Sequence, residues 1–367
     1  MSDTARLLRT SIDALNRAAS NRSIAYQCDC FVTSEVAHNE VISRIGRRVP
    51  GSAPEQAYVG VGPCQNFTYL AYYKPSVAII VDGRIDNFLE HLLFKAAFEI
   101  STSPLTFLCH LLGRSVPDWV QEPNGSAREL LRTLDLCPAT DRARSSFERF
   151  LVTRLGEMGL SPQMTSRTCE LLRVFHRRQL TVTSVGEEML LRLDRIPNLK
   201  DVVSASSSQG FNLHYLTSPD RFKAVREMHL ENRVVPLLGS ITEEETLRGL
   251  KDILSVLSLD VSMIYLSNLE EFLIERYVID DDGSISRPNS AGRIDGVYAT
   301  RYDSLVAFIS GLPRTPDCLL IRFFFPGVHR SREVGIFPWL EGHVTFASSY
   351  LQRVTAPEAT SVFDTYL

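Results

Sequence analysis

A glycine-containing turn and a later carboxylate are the residues of this chain best suited to chemistry. Gly60 and Gly62 end one hydrophobic run, and Asp82 ends the next, about 20 residues further on. Glycines let a backbone turn tightly and approach a ligand, and a carboxylate at this separation accepts hydrogen bonds from ribose hydroxyls. The spacing therefore predicts a nucleotide pocket of Rossmann type at the carboxyl ends of two parallel strands.

Further polar residues surround this turn and carboxylate. The N–H groups of Gln65 and Asn66 open the next helix and would face an anion or a carboxylate, and Asn87 belongs to the same predicted pocket. Asp82 has an alternative role as the cap of the following helix. Arg84 pairs either with Asp82 or with a substrate carboxylate.

Cys64 stands where the usual motif has its third glycine. A helix N-terminus at this position would lower the pKa of its thiol and make it nucleophilic. No basic partner is identifiable from the sequence, which favours the alternative, a small packing residue.

The elements that position these residues alternate between strands and helices. Strands are predicted at 57–61, 77–81, 234–238 and 261–266, and the segments 318–325 and 334–346 are expected to complete the edge as antiparallel strands. Helices are predicted at 4–19, 35–48 and 65–72, and another begins at Ser218-Pro219. Thr242 and Glu245 predict a capping box for a helix through Leu257. The chain therefore divides into an N-terminal helical cap or lid (1–52), the first half of a Rossmann-like core (53–100), a helical insertion (101–205), and the second half of the core with C-terminal strands (206–367).

Composition limits the class of protein. The net charge of −4 gives no reason to expect nucleic-acid binding. The charged N-terminus and the absence of a long apolar run predict a cytoplasmic protein with no membrane span. Seven scattered cysteines indicate reduced thiols, and no metal-ligand spacing is present, so no metal is expected.

Several segments together resemble an uncharacterised bacterial family whose members look like S-adenosylmethionine (SAM)-dependent methyltransferases. The matching segments are Phe31–Glu35, Tyr58–Tyr69, Ile80–Asp82, His91–Glu99, Tyr215–Ser218, Asn232–Gly239 and Tyr265–Glu270. The resemblance implies a class I methyltransferase fold with a mostly parallel sheet, and SAM as the cofactor.

On this resemblance, Gly60 and Gly62 would line the methionine end of SAM and Asp82 would bind its ribose. Ser240 would lie near the adenine, where the family carries Asp; a neutral hydroxyl gives a weaker bond there. Ser267, Asn268 and Glu270 would lie at the strand end that holds substrate.

Three functions are compatible with this pattern. The first is a methyl or alkyl transferase for a small molecule, in which Glu35 or Glu270 takes a proton and Tyr69 lines the pocket. The second is the same fold without a methyl donor, closing a small amine ring by internal displacement in natural-product biosynthesis. The third is a non-catalytic partner subunit, and a homodimer is also compatible with the sequence.

Overall fold

A six-stranded sheet forms the centre of the molecule in the computed structural model. Its strands are β1 (Gln56–Val61), β2 (Val77–Asp82), β3 (Val234–Leu238), β4 (Asp260–Tyr265), β7 (Arg314–Phe324) and β8 (Glu341–Phe346); β5 (Val278–Ile279) and β6 (Ile285–Ser286) form a separate antiparallel pair. The structure describes residues 2–21, 31–33, 35–45, 56–123, 125–183, 196–270, 278–279, 285–286, 296–324 and 341–354. The predicted strand at 334–346 lies outside these ranges before residue 341.

The strand order is β3-β2-β1-β4-β7-β8, with β8 antiparallel and the other five strands parallel. This confirms the predicted α/β class and the mostly parallel sheet with an antiparallel edge, and the arrangement is compatible with a Rossmann-like fold. The expectation that the segment 318–325 is also antiparallel is wrong: β7 pairs in parallel with β4, because the long connection between them allows a crossover, and β8 alone of the six described strands of this sheet is antiparallel. The chain runs from β1 outward to β2 and β3, then returns to place β4 on the other side of β1. This reversal is a topological switch point, where open α/β sheets bind their ligands.

The strands are hydrophobic on both faces because the sheet is covered on both sides. In β1, Tyr58 joins one core, whereas Val59 and Val61 join the other. Ile80 and Ile79 of β2 divide in the same way. Alternate side chains of a strand point to opposite faces, so each continuous apolar run serves two cores.

Thirteen helices are described in these ranges. They are α1 (Asp3–Asn21), α2 (His38–Ile45), α3 (Gln65–Tyr73), α4 (Ile85–Ile100), α5 (Pro104–Leu112), α6 (Ala127–Asp135), α7 (Asp141–Met158), α8 (Pro162–Arg178), α9 (Leu199–Ser204), α10 (Pro219–Leu230), α11 (Glu244–Leu257), α12 (Gly296–Gly311) and α13 (Ala347–Val354). One core packs against α3, α4, α5 and α8, and the other packs against α11, α12 and α13. Helices α5 to α9 lie in the predicted insertion, and Arg167 of α8 holds Asp86 of α4 through two bonds of 2.9 and 2.6 Å.

Two predicted helix starts are wrong. Glu35 precedes α2 instead of beginning it, because its side chain is buried in contacts with β4 and the segment after it. Helix α11 begins at Glu244 with Glu243 as its N-cap, and the expected capping box is absent. The Thr242 hydroxyl is 2.8 Å from that of Ser240, which takes the place of the cap contact.

Candidate functional site

Glu35 lies buried at the carboxyl end of β4. The hydroxyl of Tyr265 donates a hydrogen bond of 2.7 Å to Oε2 of Glu35, and the hydroxyl of Ser267 donates to Oε1. The Glu35 N–H donates to the Thr33 hydroxyl, which fixes the loop before α2. Burial raises the pKa of Glu35 to about 8, although the two hydroxyl bonds partly offset it. Glu35 is therefore an acid or base poised near neutral pH.

Two neighbouring side chains present buried polar atoms that have no hydrogen-bond partner in the part of the chain that the structure describes. The ring centroid of Tyr69 is 5.0 Å from that of Tyr265, and its hydroxyl is unpaired. Gln65 lies one helical turn before Tyr69, and neither its amide nitrogen nor its amide oxygen is paired. Buried polar atoms normally find partners. Burial raises the pKa of Tyr69 and the Gln65 side chain partly offsets this, so the Tyr69 hydroxyl and the Gln65 amide lie close together, although they make no hydrogen bond of ordinary geometry.

Two buried histidines lie next to this cluster. Nδ1 of His38 is 3.3 Å from the carbonyl oxygen of Glu35, so it carries the ring proton and leaves Nε2 as an acceptor. The N–H of Leu216 donates to Nδ1 of His214, so the proton of that ring is at Nε2. Both Nε2 atoms are unpaired, and the ring centroids are 5.5 Å apart. Burial lowers the pKa of His38 to about 4, so it stays neutral at pH 7.

The glycine turn occupies the predicted position, but a side chain of the protein fills part of it. Asn66 donates from Nδ2 to the carbonyl oxygens of Val61, Gly62 and Pro63, and its Oδ1 accepts from the Tyr58 hydroxyl. A Cβ added at Gly60 would lie 2.0 Å from Asn66 Oδ1, whereas one at Gly62 would meet nothing within 4 Å. The space beside Gly60 is thus taken, and that beside Gly62 is open.

Asp82 ends β2 as predicted, and the protein itself satisfies its carboxylate. Oδ1 accepts from the backbone N–H and Nε of Arg84, both at 2.9 Å. Oδ2 accepts from Nη2 of Arg84 at 2.8 Å and from Nδ2 of Asn87 at 2.6 Å. Burial would raise the pKa of Asp82, but Arg84 and Asn87 lower it below its ordinary value. Four bonds fill the capacity of a carboxylate, so of the two roles open to Arg84 the structure shows the pairing with Asp82.

The other predicted pocket residues lie along the same sheet edge. Gly239, before Ser240, donates its N–H to the carbonyl oxygen of Asp82. Ser267 donates its one hydroxyl hydrogen to Glu35, and its hydroxyl oxygen also lies 3.3 Å from Oδ1 of Asn268.

The two predicted acids at the β4 side have different surroundings. Glu270 accepts a 2.7 Å bond from the Tyr350 hydroxyl and pairs with Arg322 at 3.3 Å, so a buried cation already neutralises it. Glu35 pairs with hydroxyl groups instead. Of the two, Glu35 is the carboxyl group without a charged partner among the described residues.

The expected low pKa of Cys64 is wrong. Cys64 immediately precedes α3 and is buried, and this burial raises the pKa of its thiol to about 12. Loss of hydration outweighs the helix N-terminus. Cys64 is a packing residue, and the five cysteines that the structure describes are all free thiols.

Sequence reasoning missed the contributions of Tyr265 and His38. Tyr265 is 230 residues from Glu35 along the chain, and no local pattern reports such a contact. His38 belongs to no sequence motif that would have predicted its burial next to Glu35. A tyrosine that ends a buried strand at a switch point was the one available signal.

Comparison with known protein families identifies the group to which this chain belongs. A family model described as a domain of unknown function (DUF7790) matches residues 33–278, more than half of the 367 residues. The chain is a member of this family. No curated protein matches the chain. Among the described residues, no helix is long and apolar enough to cross a membrane, and no cluster of three or more side chains could hold a metal ion.

Proposed function

We propose that this protein is a small-molecule enzyme on a methyltransferase-type Rossmann-like fold, and that Glu35 accepts a proton during an in-line substitution. The observation that carries the proposal is the environment of Glu35. Its carboxyl group is fully buried at the switch point of the sheet, and among the described residues its hydrogen-bond partners are the hydroxyls of Tyr265 and Ser267 alone. A buried carboxyl group without a cation costs stability, which favours a functional reason for it.

The chemistry follows from the position of this base. Because the pKa of Glu35 is about 8, its carboxyl group is mostly protonated at neutral pH and acts as a base once that proton has been lost. The ionised form then takes a proton from the incoming nucleophile and returns it afterwards. Tyr265 and Ser267 fix the direction of its oxygens, which supplies the orientation that an in-line displacement needs. Tyr69 and Gln65 add polar contacts for the substrate beside it.

The contacts around Asp82 bear on the choice between the two substitution reactions. A ribose would have to displace Arg84 or Asn87 to reach the carboxylate of Asp82. Asn66 fills the space beside Gly60 that the methionine end of SAM would use. These residues do not fit SAM in the described arrangement. They favour the reaction without a methyl donor. In that reaction the amine nitrogen of the substrate bonds to a carbon of the same molecule, the bond from that carbon to its leaving group breaks, the leaving group departs as an anion, and Glu35 takes the amine proton.

Substrate consumption tests the role of Glu35. A bacterial metabolite extract is incubated with the wild type, with Glu35→Gln, and with Glu129→Gln, which makes the same change at an exposed position. Mass spectrometry should show a compound consumed by the wild type and by Glu129→Gln but spared by Glu35→Gln. If folded Glu35→Gln consumes every compound that the wild type consumes, the proposal is wrong.

Calorimetric titration with SAM and S-adenosylhomocysteine separates the two reactions. We expect no binding by the wild type. Micromolar binding that Asp82→Ala abolishes would instead establish the methyl-transfer version and show that Arg84 yields its position to the ribose.

A further inference from the structure

Glu35 lies near further buried polar atoms that have no hydrogen-bond partner among the described residues. Tyr265 links the two groups: its hydroxyl donates to Glu35, its ring centroid is 5.0 Å from that of Tyr69, and Gln65 lies on the same face of α3 as Tyr69. The acceptors are the Glu35 carboxyl oxygens, the amide oxygen of Gln65 and the hydroxyl oxygen of Tyr69. The amide nitrogen of Gln65 is an unpaired donor beside them.

We propose that Glu35, Gln65 and Tyr69 bind a primary ammonium group of the substrate; this rests on the proposed function and names its substrate class. A primary ammonium has three N–H donors, one for each of these acceptors. Its charge complements Glu35, which no lysine or arginine of the described ranges neutralises. An ammonium ion therefore satisfies these acceptors and the charge, and it leaves the amide N–H groups of Gln65 for an acceptor elsewhere on the substrate.

Other ligand classes fit these atoms less well. An anion would be repelled by ionised Glu35. An alcohol supplies one O–H donor for three acceptors, and a quaternary ammonium supplies none.

Binding of the ammonium requires that Glu35 lose its proton. The other titratable groups that face Glu35 are Tyr58, Tyr69, Tyr265, Cys64 and His38. Burial raises the pKa values of the three tyrosines well above 10 and that of Cys64 to about 12, and it lowers that of His38 to about 4. Each of these groups therefore keeps one charge state from pH 6 to 8. Because the pKa of Glu35 is about 8, about nine-tenths of the carboxyl groups are protonated at pH 7. Binding should therefore release about 0.9 proton per ligand at pH 7.

Calorimetry with a simple amine tests this proposal. Propylammonium chloride is titrated into the wild type at pH 7 in two buffers of different ionisation enthalpy, which reports the number of protons released. We expect millimolar binding that tightens about tenfold from pH 6 to 7 and about fivefold from pH 7 to 8, and no binding of propanol or tetramethylammonium. Glu35→Gln should abolish the proton release and weaken binding, Tyr69→Phe should weaken binding with the release retained, and Glu129→Gln should behave as the wild type.

Two results overturn the proposal. One is a folded wild type that binds no propylammonium. The other is binding that Glu35→Gln leaves unchanged in affinity and in proton release. If either occurs while the extract experiment still shows Glu35-dependent consumption, the ligand class alone is wrong. If that consumption is also absent, the proposed function fails as well.

Discussion

Replacing Glu35 by Gln should make the protein more stable at alkaline pH. The folded state keeps the Glu35 carboxyl group protonated up to about pH 8, whereas an unfolded chain ionises it above about pH 4.5. Between these values the folded state binds more protons, so the free energy of unfolding falls as the pH rises. Above pH 8 both states are ionised and the contribution is constant.

The magnitude follows from this pH interval. Each pH unit over which the two states differ in protonation is worth about 1.4 kcal/mol, so the interval from 4.5 to about 8 corresponds to about 5 kcal/mol. Gln has nearly the same shape and no charge, so Glu35→Gln should match the wild type near pH 5. It should exceed the wild type by up to about 5 kcal/mol at pH 8.5, which is roughly 6 °C in Tm for a chain of 367 residues.

Urea and thermal unfolding from pH 5 to 9, followed by circular dichroism, measure this difference. Other carboxyl groups titrate in both proteins, so subtracting the two curves isolates Glu35. The exposed Glu129→Gln should give a flat difference curve. A Glu35→Gln difference that is also flat would show that Glu35 ionises alike in the folded and unfolded states, and burial would then not raise its pKa.

Three further changes test the turn, the insertion and the thiol. Gly60→Ala places a Cβ 2.0 Å from Asn66 Oδ1 and should lower the free energy of unfolding by about 3 kcal/mol or abolish folding. Urea unfolding measures this change, and an unchanged urea midpoint would contradict the close contact. The side chain of Asp86 is 3% exposed, and Arg167→Met leaves its carboxylate without its bidentate partner. The free energy of unfolding should fall by about 3–5 kcal/mol, measured by urea unfolding, and adding Asp86→Asn should recover most of this loss. Cys64 should not react with iodoacetamide at pH 8 in the folded protein, because the pKa of its thiol is about 12. Peptide mass spectrometry detects the adduct, and rapid labelling of the folded protein would refute the packing role.

Local sequence patterns determined much of the sheet. The apolar runs at β1 and β2 predicted two neighbouring parallel strands, and the structure confirms them with Gly62 and Asp82 at their carboxyl ends. Such patterns work because strand formation and burial both depend on side chains only two residues apart. The Ser218 cap and Pro219 likewise marked the start of α10 correctly.

The residues that fill the pocket could not be read from the sequence in the same way. Asn66 was expected to offer its backbone to a ligand, yet its side chain folds back onto Gly62 and Pro63. The rotamer of Asn66 depends on the hydroxyl of Tyr58 in β1, which donates a hydrogen bond to Oδ1 of Asn66. A motif specifies the backbone turn, and the packing around it decides which atoms remain available.

The sequence by itself determined that this chain forms an α/β sheet with Gly62 and Asp82 at one edge, because hydrophobic periodicity acts over a few residues. Only the tertiary structure decided that Arg84 saturates Asp82 and that Glu35 meets Tyr265, 230 residues away. The raised pKa of Glu35 is likewise a tertiary property, since it arises from the loss of water around the carboxyl group when these distant segments pack together.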